Sequence, residues 1–360
     1  MIKIQSTELK KALIKAKRFT KRDTNELSLI KIKANSEESS LIIESTDSDR
    51  VFQCKIFAEL TDTEDIILNS KDIEIITKMP EGEMKIDRIE NYYLFSSGKS
   101  KRKINRIEEK FPSIEIDSEI ISRVQFNSKV LIEALDKVTY ATTKDEVRPI
   151  LTGVHFFKNT EGKIVMTALD GYRLAQVTVT DFQADGLGEL DIVIPAMRIN
   201  EILKCIESES ILVAICKKSV VFFGGNIIIS QKLIEGTFVD TKGIIPSETN
   251  FSFEVKASEL FNIVDSMLVG DVFVIDLEIQ DNIIKFHNDT SSYAIDEELA
   301  IKVKDKKPEE TLKISFNSRY LSETISTFGE ETIDFNYIGP TSPVIFKKGD
   351  MLGLILPIRK

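Results

Sequence analysis

The chain repeats itself three times with a period of about 120 residues, and that repeat restricts what it can fold into more than any single motif does. The clearest copies are Ser40–Ile56 (SLIIESTDSDRVFQCKI) and Lys163–Val179 (KIVMTALDGYRLAQVTV), which set Asp47 over Asp170 and Arg50 over Arg173. A weaker third copy, Asn282–Ile301, brings Asp289 to the same point. In the middle copy an Asp-Gly pair, Asp170-Gly171, separates two runs of alternating apolar residues. That pattern predicts a β-hairpin.

Two further elements recur with the hairpin. Asp65–Asp87, Leu190–Ile215 and Leu312–Tyr337 share one plan: a strand, a cap-like residue (Ser70, Ala196, Ser318), an amphipathic helix of two to three turns, an acidic turn and a strand. Asn and Ser suit the position before a helix because they accept hydrogen bonds from the free N–H groups of its first turn. Each unit also opens on a helix. Its apolar stripe is Leu9, Ala12, Leu13 and Ala16 in the first copy and Leu131, Ala134, Leu135 and Val138 in the second. In the third copy it is Leu260, Ile263, Val264 and Met267. Such spacing is helical. Two helices packed on β-sheets in each copy predict an α+β chain of three similar tandem domains, at residues 1–122, 123–247 and 248–360.

Composition narrows the function. With 42% apolar and 29% charged residues, the chain reads as soluble and globular. It has no apolar run near the roughly 18 to 20 residues that span a bilayer, so no membrane role is expected. The opening MIKIQSTELKK reads as strand then helix and not as a signal peptide, which predicts a cytoplasmic location. Cys54, Cys205 and Cys216 form no C-x-x-C pair and read as reduced thiols. The two histidines, His155 and His287, lie in strand-like segments without partners at ligand spacing, so neither metal nor cofactor is expected. SSGKS (96–100) would need a glycine where Tyr93 stands to be a phosphate loop, and FFGGN and FKKGD mark it as a hairpin turn. No nucleophile or paired-carboxylate motif emerges, and a non-catalytic protein is expected.

Charge is more telling. The net charge is −10, yet Lys10, Lys11, Lys15, Lys17, Arg18, Lys21 and Arg22 cluster with no acidic residue from Leu9 to Arg22. A solvated helix face normally mixes both signs, so this face is expected to meet a polyanion through sequence-independent, salt-sensitive phosphate contacts. The second copy offers Lys129, Lys137, Lys144 and Arg148. Two other features are selective. Only the middle hairpin combines Gly171, Tyr172 and Arg173, and the chain closes on the apolar LGLILPIRK (352–360). An apolar tail that is neither core strand nor anchor suggests one wall of a binding groove.

Three tandem copies, RPILTGV and TALDGYRLA in the second, KLIEGTFVDTKGIIP closing it and SPVIF with LPIR at the end resemble the bacterial sliding clamps, the beta subunits of DNA polymerase III, over the whole length. The resemblance implies a homodimer closed head-to-tail into a ring of six domains around duplex DNA, with basic helices inside and sheets outside. It implies DNA contacts from Lys10, Lys11, Lys15, Arg18, Arg22, Lys137, Arg148 and Arg198. It implies a groove for short peptides of the polymerase III alpha subunit, the clamp loader, other polymerases and repair proteins. By position that groove comprises Leu151, Leu169, Gly171, Tyr172, Arg173, Leu174, Val239, Ile244, Thr341, Pro343, Leu354, Leu356, Pro357, Ile358 and Arg359, with Arg173 bonding peptide carbonyls. The dimer seam would use Lys71, Ile75, Arg102 and Ile104 against Met267 and Leu268.

This chain departs from the family where Tyr172 replaces a common histidine, where FVDTKG (238–243) replaces FPDY with arginines, and where Arg102 replaces an aromatic. Two alternatives stand beside the clamp: an enzyme on a repeated α+β scaffold, and a repeat scaffold that ignores DNA.

Overall fold

The computed structural model describes residues 1–22, 26–61, 63–184, 188, 190–270, 273–289, 293–304 and 310–359. Among them are six α-helices and four sheets, of five, nine, nine and four strands. The opening helices Ser6–Lys17, Ser128–Thr139 and Ala257–Ser266 bury their expected stripes, with Leu9, Leu13, Leu131, Leu135, Leu260 and Val264 nearly or fully out of solvent. Each such side chain contributes roughly 1.5–3 kcal/mol.

The second helices are shorter than expected in two copies. Ile73–Thr77 and Ile199–Leu203 have five residues each, and Ser318–Ser326 has nine. After the first of these, Pro80 disfavours a helical Met79. The expected caps also move. Asn317 rather than Ser318 caps the third helix, accepting a 3.1 Å hydrogen bond from Tyr320 N. Asn69 Oδ1 accepts from Lys71 N, so the chain turns through Ser70 before the first helix begins.

Two compact units emerge, one from residues 1–129, 182–188 and 201–233, the other from residues 130–181, 189–200 and 234–360. They cut across the repeats because the large sheets run through them. In the first unit, strand Arg50–Phe57 of the first repeat pairs with Ile227–Lys232 of the second, Cys54 opposite Ile227. In the second unit, Arg173–Val179 pairs with Met351–Ile355 of the third repeat, Val177 opposite Met351. Counted from the turns that begin them, Ile227 and Met351 are equivalent, and so are Cys54 and Val177. One strand joint is therefore used twice. Its two partners each occur once more, as Ala294–Ala300 and Ser100–Asn105, and both lie at the end of a sheet.

The third hairpin corrects the alignment. Its last pair, Asp289 with Ala294, matches Thr46 with Val51 and Leu169 with Leu174. Asp289 thus takes the place of Thr46 and Leu169, one residue before the aspartate of the other copies, and residues 290–292 lie outside the described residues. The third repeat is held by an aromatic stack, Phe253 on Phe335 at 4.5 Å with Phe346 edge-on to Phe335. Gly353 lets a helix close on this sheet: a Cβ there would meet Thr324 Cγ2 at 2.6 Å.

Candidate partner groove and basic helix face

The hairpin at Leu169–Leu174 is built by its aspartate. Asp170 Oδ1 accepts from Tyr172 N at 2.9 Å and Arg173 N at 3.0 Å, and Gly171 adopts φ +95°, where a Cβ is unwelcome. Arg173 then folds inward. Its Nε donates to Asp170 Oδ2 at 3.0 Å, Nη2 to Tyr140 O at 2.6 Å and Nη1 to Glu323. Its guanidinium lies 5.2 Å from the Tyr140 ring centroid and 4.4 Å from that of Tyr320. Burial raises the Tyr140 phenol to about 12, so it stays neutral beside the arginine.

At 8% exposure Arg173 is not positioned to bond peptide carbonyls, contrary to the sequence expectation. The first repeat has the same clip. Arg50 Nε donates to Asp47 Oδ2 at 2.8 Å, Arg50 N to Asp47 Oδ1, and Ser48 takes φ +81°. The arginine of this loop is a fold residue.

Tyr172, by contrast, is 63% exposed, its ring 6.1 Å from that of Tyr320. Its carbonyl accepts from Leu356 N at 2.8 Å, and Ile358 N donates to Ser315 O at 2.8 Å. Contrary to the sequence expectation, residues 352–355 belong to a buried strand paired on both sides, and only the tail after Ile355 leaves the sheet, pinned at two points. Beneath lies an apolar floor of Leu151, Leu169, Leu174, Phe238, Ile345 and Leu354, with Ile244 packed against it. Gly171, Val239, Thr341, Leu356 and Arg359 are exposed, and Pro343, Pro357 and Ile358 are half-buried. Of the expected groove residues, Leu151, Leu169, Leu174 and Leu354 share one apolar cluster with Ile244 packed against it, Leu356 is bonded to Tyr172, and Arg173 is buried.

His155 supports this wall. Its ring stacks on Phe238 at 4.5 Å and on Phe157 at 4.9 Å, and Nε2 meets Asp191 Oδ1 at 2.8 Å. Burial holds its pKa below the ordinary value, while Asp191 acts in the opposite direction. A cavity of about 990 Å³ shares Thr341, Ile358 and Arg359 with the groove. Its polar wall comes from strand register, which sets Ser315, Asp276, His287 and Asp296 side by side on adjacent strands. The alternation of VIDLEIQ and IIKFHND is the signal that could have found this row.

The basic helix face divides in two. Lys11, Arg18 and Arg22 are exposed. Lys10 Nζ donates to Met79 O, and Lys15 Nζ lies 2.9 Å from Glu207 Oε1, so both are tied within the chain. Arg18 reaches Glu201 O at 3.3 Å. In the second repeat Lys137 is half-buried and Arg148 and Arg198 are exposed.

Of the expected seam residues, Lys71, Ile75 and Ile104 line one cavity of about 790 Å³ beside the free strand Ser100–Asn105, on which Arg102 is exposed. Met267 is different: it is fully buried in the third repeat's core, as its place in the helix stripe demands. Leu268 is half-buried, and the exposed apolar side chains nearby in sequence are Val269 and Phe273. Sequence reading also missed a charge contrast. One free strand carries Lys101, Arg102 and Lys103, the other Asp296, Glu297 and Glu298.

Comparison with known proteins agrees with this architecture. Residues 125–240 match the family model of the DNA polymerase III beta subunit, central domain, and residues 242–355 that of its C-terminal domain. The chain is 27% identical to the beta sliding clamp of Staphylococcus aureus over 350 residues, 91% of each chain. Solved structures of the DNA polymerase III beta chain of Streptococcus pneumoniae and the sliding clamp of Bacillus subtilis are also similar. The first superposes with a TM-score of 0.91 at 23% identity, the second with 0.91 at 20%, each covering 100% of this chain and 99% of the other.

Proposed function

The chain belongs to the family of the DNA polymerase III beta subunit, and we propose on that premise how its own residues do the work of a sliding clamp. A clamp is a non-catalytic processivity factor: it encircles duplex DNA and tethers the replicative polymerase. The observation that carries this reading for this chain is the strand joint used twice inside the chain and left open at both ends.

The open ends meet between two copies. Continuing the register of the two internal joints sets Lys101 of one copy opposite Asp296 of the other, and Arg102 opposite Ile295. Two such heterologous joints close a dimer when the rotation is right. Basic strand against acidic strand gives the pairing its direction. Lys71, Ile75 and Ile104 supply the apolar side of one half, and Leu268, Val269 and Phe273 that of the other. The three repeats at 1–122, 123–247 and 248–360 act as the ring's three domains per copy.

DNA is held by topology and by phosphate contacts from Lys11, Arg18 and Arg22, with Lys137, Arg148 and Arg198 adding charge; no base readout is involved. Lys10 and Lys15 serve mainly to fasten the helix. The groove of Tyr172, Val239, Ile244, Pro343, Leu356, Pro357 and Ile358 over its leucine floor takes short apolar-ended peptides of the polymerase alpha subunit, the clamp loader and other polymerases and repair proteins. The site of action is the cytoplasm, where replication takes place in bacteria. No helix among the described residues is long and apolar enough to cross a membrane.

The test is retention on nicked circular DNA loaded with the protein. The protein should stay on the circle and run off when the circle is linearised. Equal retention on both forms removes the encircling reading.

A further inference from the structure

The joint between the first and second repeats is built like the one that carries the partner groove, and it has a cavity of its own. Lys232 N donates to Asp49 O at 2.9 Å, as Leu356 N does to Tyr172 O. Lys21 N donates to Leu27 O at 2.9 Å, as Thr143 N does to Leu151 O at 3.0 Å. A linker, residues 112–118, forms one wall, and the cavity measures about 880 Å³.

Its chemistry is inverted. Where the second joint has Leu169, Pro343, Leu354 and Leu356, the strand registers give the first joint Thr46, Ser219, Ser230 and Lys232. All four line the cavity. Ser219 is 7% exposed, and its Oγ, near the Cys216 thiol, has no hydrogen-bond partner of ordinary geometry. A buried hydroxyl with only a thiol sulfur beside it gains from an arriving oxygen acceptor. Lys232 stands directly across from Ser219 on the neighbouring strand and Lys218 precedes it. Lys232 is only loosely held, 3.7 Å from an equally exposed Asp49. A hydroxyl donor that lines a cavity together with two lysines suits a carboxylate, which accepts from all three. Asp49, Glu115 and Asp117 also line the cavity. They repel a second carboxylate, so the fit is to a segment with one acidic side chain among neutral polar ones.

We infer that the first joint is a second docking groove, selective for an extended polar peptide presenting a single acidic side chain to Ser219, Lys218 and Lys232. The inference rests on the reading of the second joint as a peptide groove, whose frame it shares. Apolar-ended peptides are excluded from it, because they would bury the serines against hydrocarbon.

The experiment uses the full chain and three fluorescein-labelled probes: a Ser/Asn nonapeptide with a central Glu, the same peptide with Gln, and a Leu-Phe-ended peptide. The Glu peptide should bind at least about ten-fold tighter than the Gln peptide, a difference of about 1.4 kcal/mol. Ser219→Ala, and separately Lys218→Gln with Lys232→Gln, should erase that difference while leaving Leu-Phe binding unchanged. Circular dichroism melts check that each variant folds. Equal affinity for the Glu and Gln peptides overturns the proposal, and so does displacement of the Glu peptide by the Leu-Phe peptide. Failure of the Leu-Phe peptide alone removes the second-joint reading and leaves a Glu-selective first joint standing on its own.

Discussion

Arg173 donates through Nε to Asp170 Oδ2 across 3.0 Å, and this bond closes the hairpin on itself. Both side chains are buried, at 8% and 9% exposure. The residue that looks best suited to greet a ligand thus holds the loop that presents Tyr172. Removing one partner of a buried pair leaves the other charged and uncompensated, at a typical cost of about 3–5 kcal/mol. Arg173→Ala should therefore lower unfolding stability by about 3 kcal/mol, read by urea denaturation. Tyr172→Ala, on an exposed side chain, should change stability by less than about 0.5 kcal/mol while weakening a Leu-Phe-ended peptide. The reverse pattern would return Arg173 to the rim.

The tail makes two backbone hydrogen bonds, Leu356 N to Tyr172 O and Ile358 N to Ser315 O. At about 1 kcal/mol net for each, deleting Leu356–Lys360 should reduce stability by about 2 kcal/mol. Peptide binding should be lost with it, because Leu356, Pro357 and Ile358 leave the groove. Fluorescence anisotropy of a labelled peptide beside a thermal melt separates the two effects.

His155 makes the groove wall sensitive to acid. Its folded pKa lies below the ordinary histidine value of 6.5, with burial as the leading cause. The unfolded chain then binds the proton more readily than the folded one. The stability His155 contributes is complete above the unfolded value and is lost as pH falls from there through the depressed folded value. His155→Gln should flatten stability over that window. With only two histidines in the chain, ring-proton NMR titration reads the shift directly.

Salt slopes should separate fastening lysines from DNA-facing ones. Each phosphate contact contributes about 0.9 to the log–log dependence of binding on salt. Lys11→Glu, Arg18→Glu and Arg22→Glu together should lower the slope by between about 2 and 3. Lys10→Glu and Lys15→Glu break bonds to Met79 O and Glu207 and should act chiefly on the melting temperature.

A dimer seam built from opposite charges should weaken as salt rises. Screening shortens from roughly 10 Å at about 0.1 M to about 3 Å at 1 M. Analytical ultracentrifugation should show dimer giving way to monomer over that range. Lys101→Glu should weaken the dimer at low salt, and pairing it with Asp296→Lys should restore it. An unresponsive dimer would place the strength of the seam in its apolar residues.

The repeat, the opening helices and their stripes were legible because period and helical spacing are local patterns. The leucines beneath the tail were reached only through the family resemblance, because neither period nor spacing marks them as a group. What escaped depends on partners distant in the chain. Arginine at position 173 has the same identity whether its donors face a ligand or Glu323, 150 residues on. Met267 satisfied a core stripe and an interface expectation at once, and burial decided for the core. Matching Asp289 by residue type misplaced it by one, because register follows the pairs of the ladder and not the aspartate. The compact units escaped too, since strand edges join across repeats and that pairing leaves no local mark.

In the proposed dimer the strand joint has two settings that respond differently to dilution. Inside the chain its halves are tethered and meet at an effective concentration fixed by the linker, whatever the amount of protein. Between copies the same halves meet only at the concentration of the protein itself. Thinning the solution, or pulling at the acidic and basic edges, therefore releases the outer joint while the inner ones stay shut. A thread can be let in without melting a single domain.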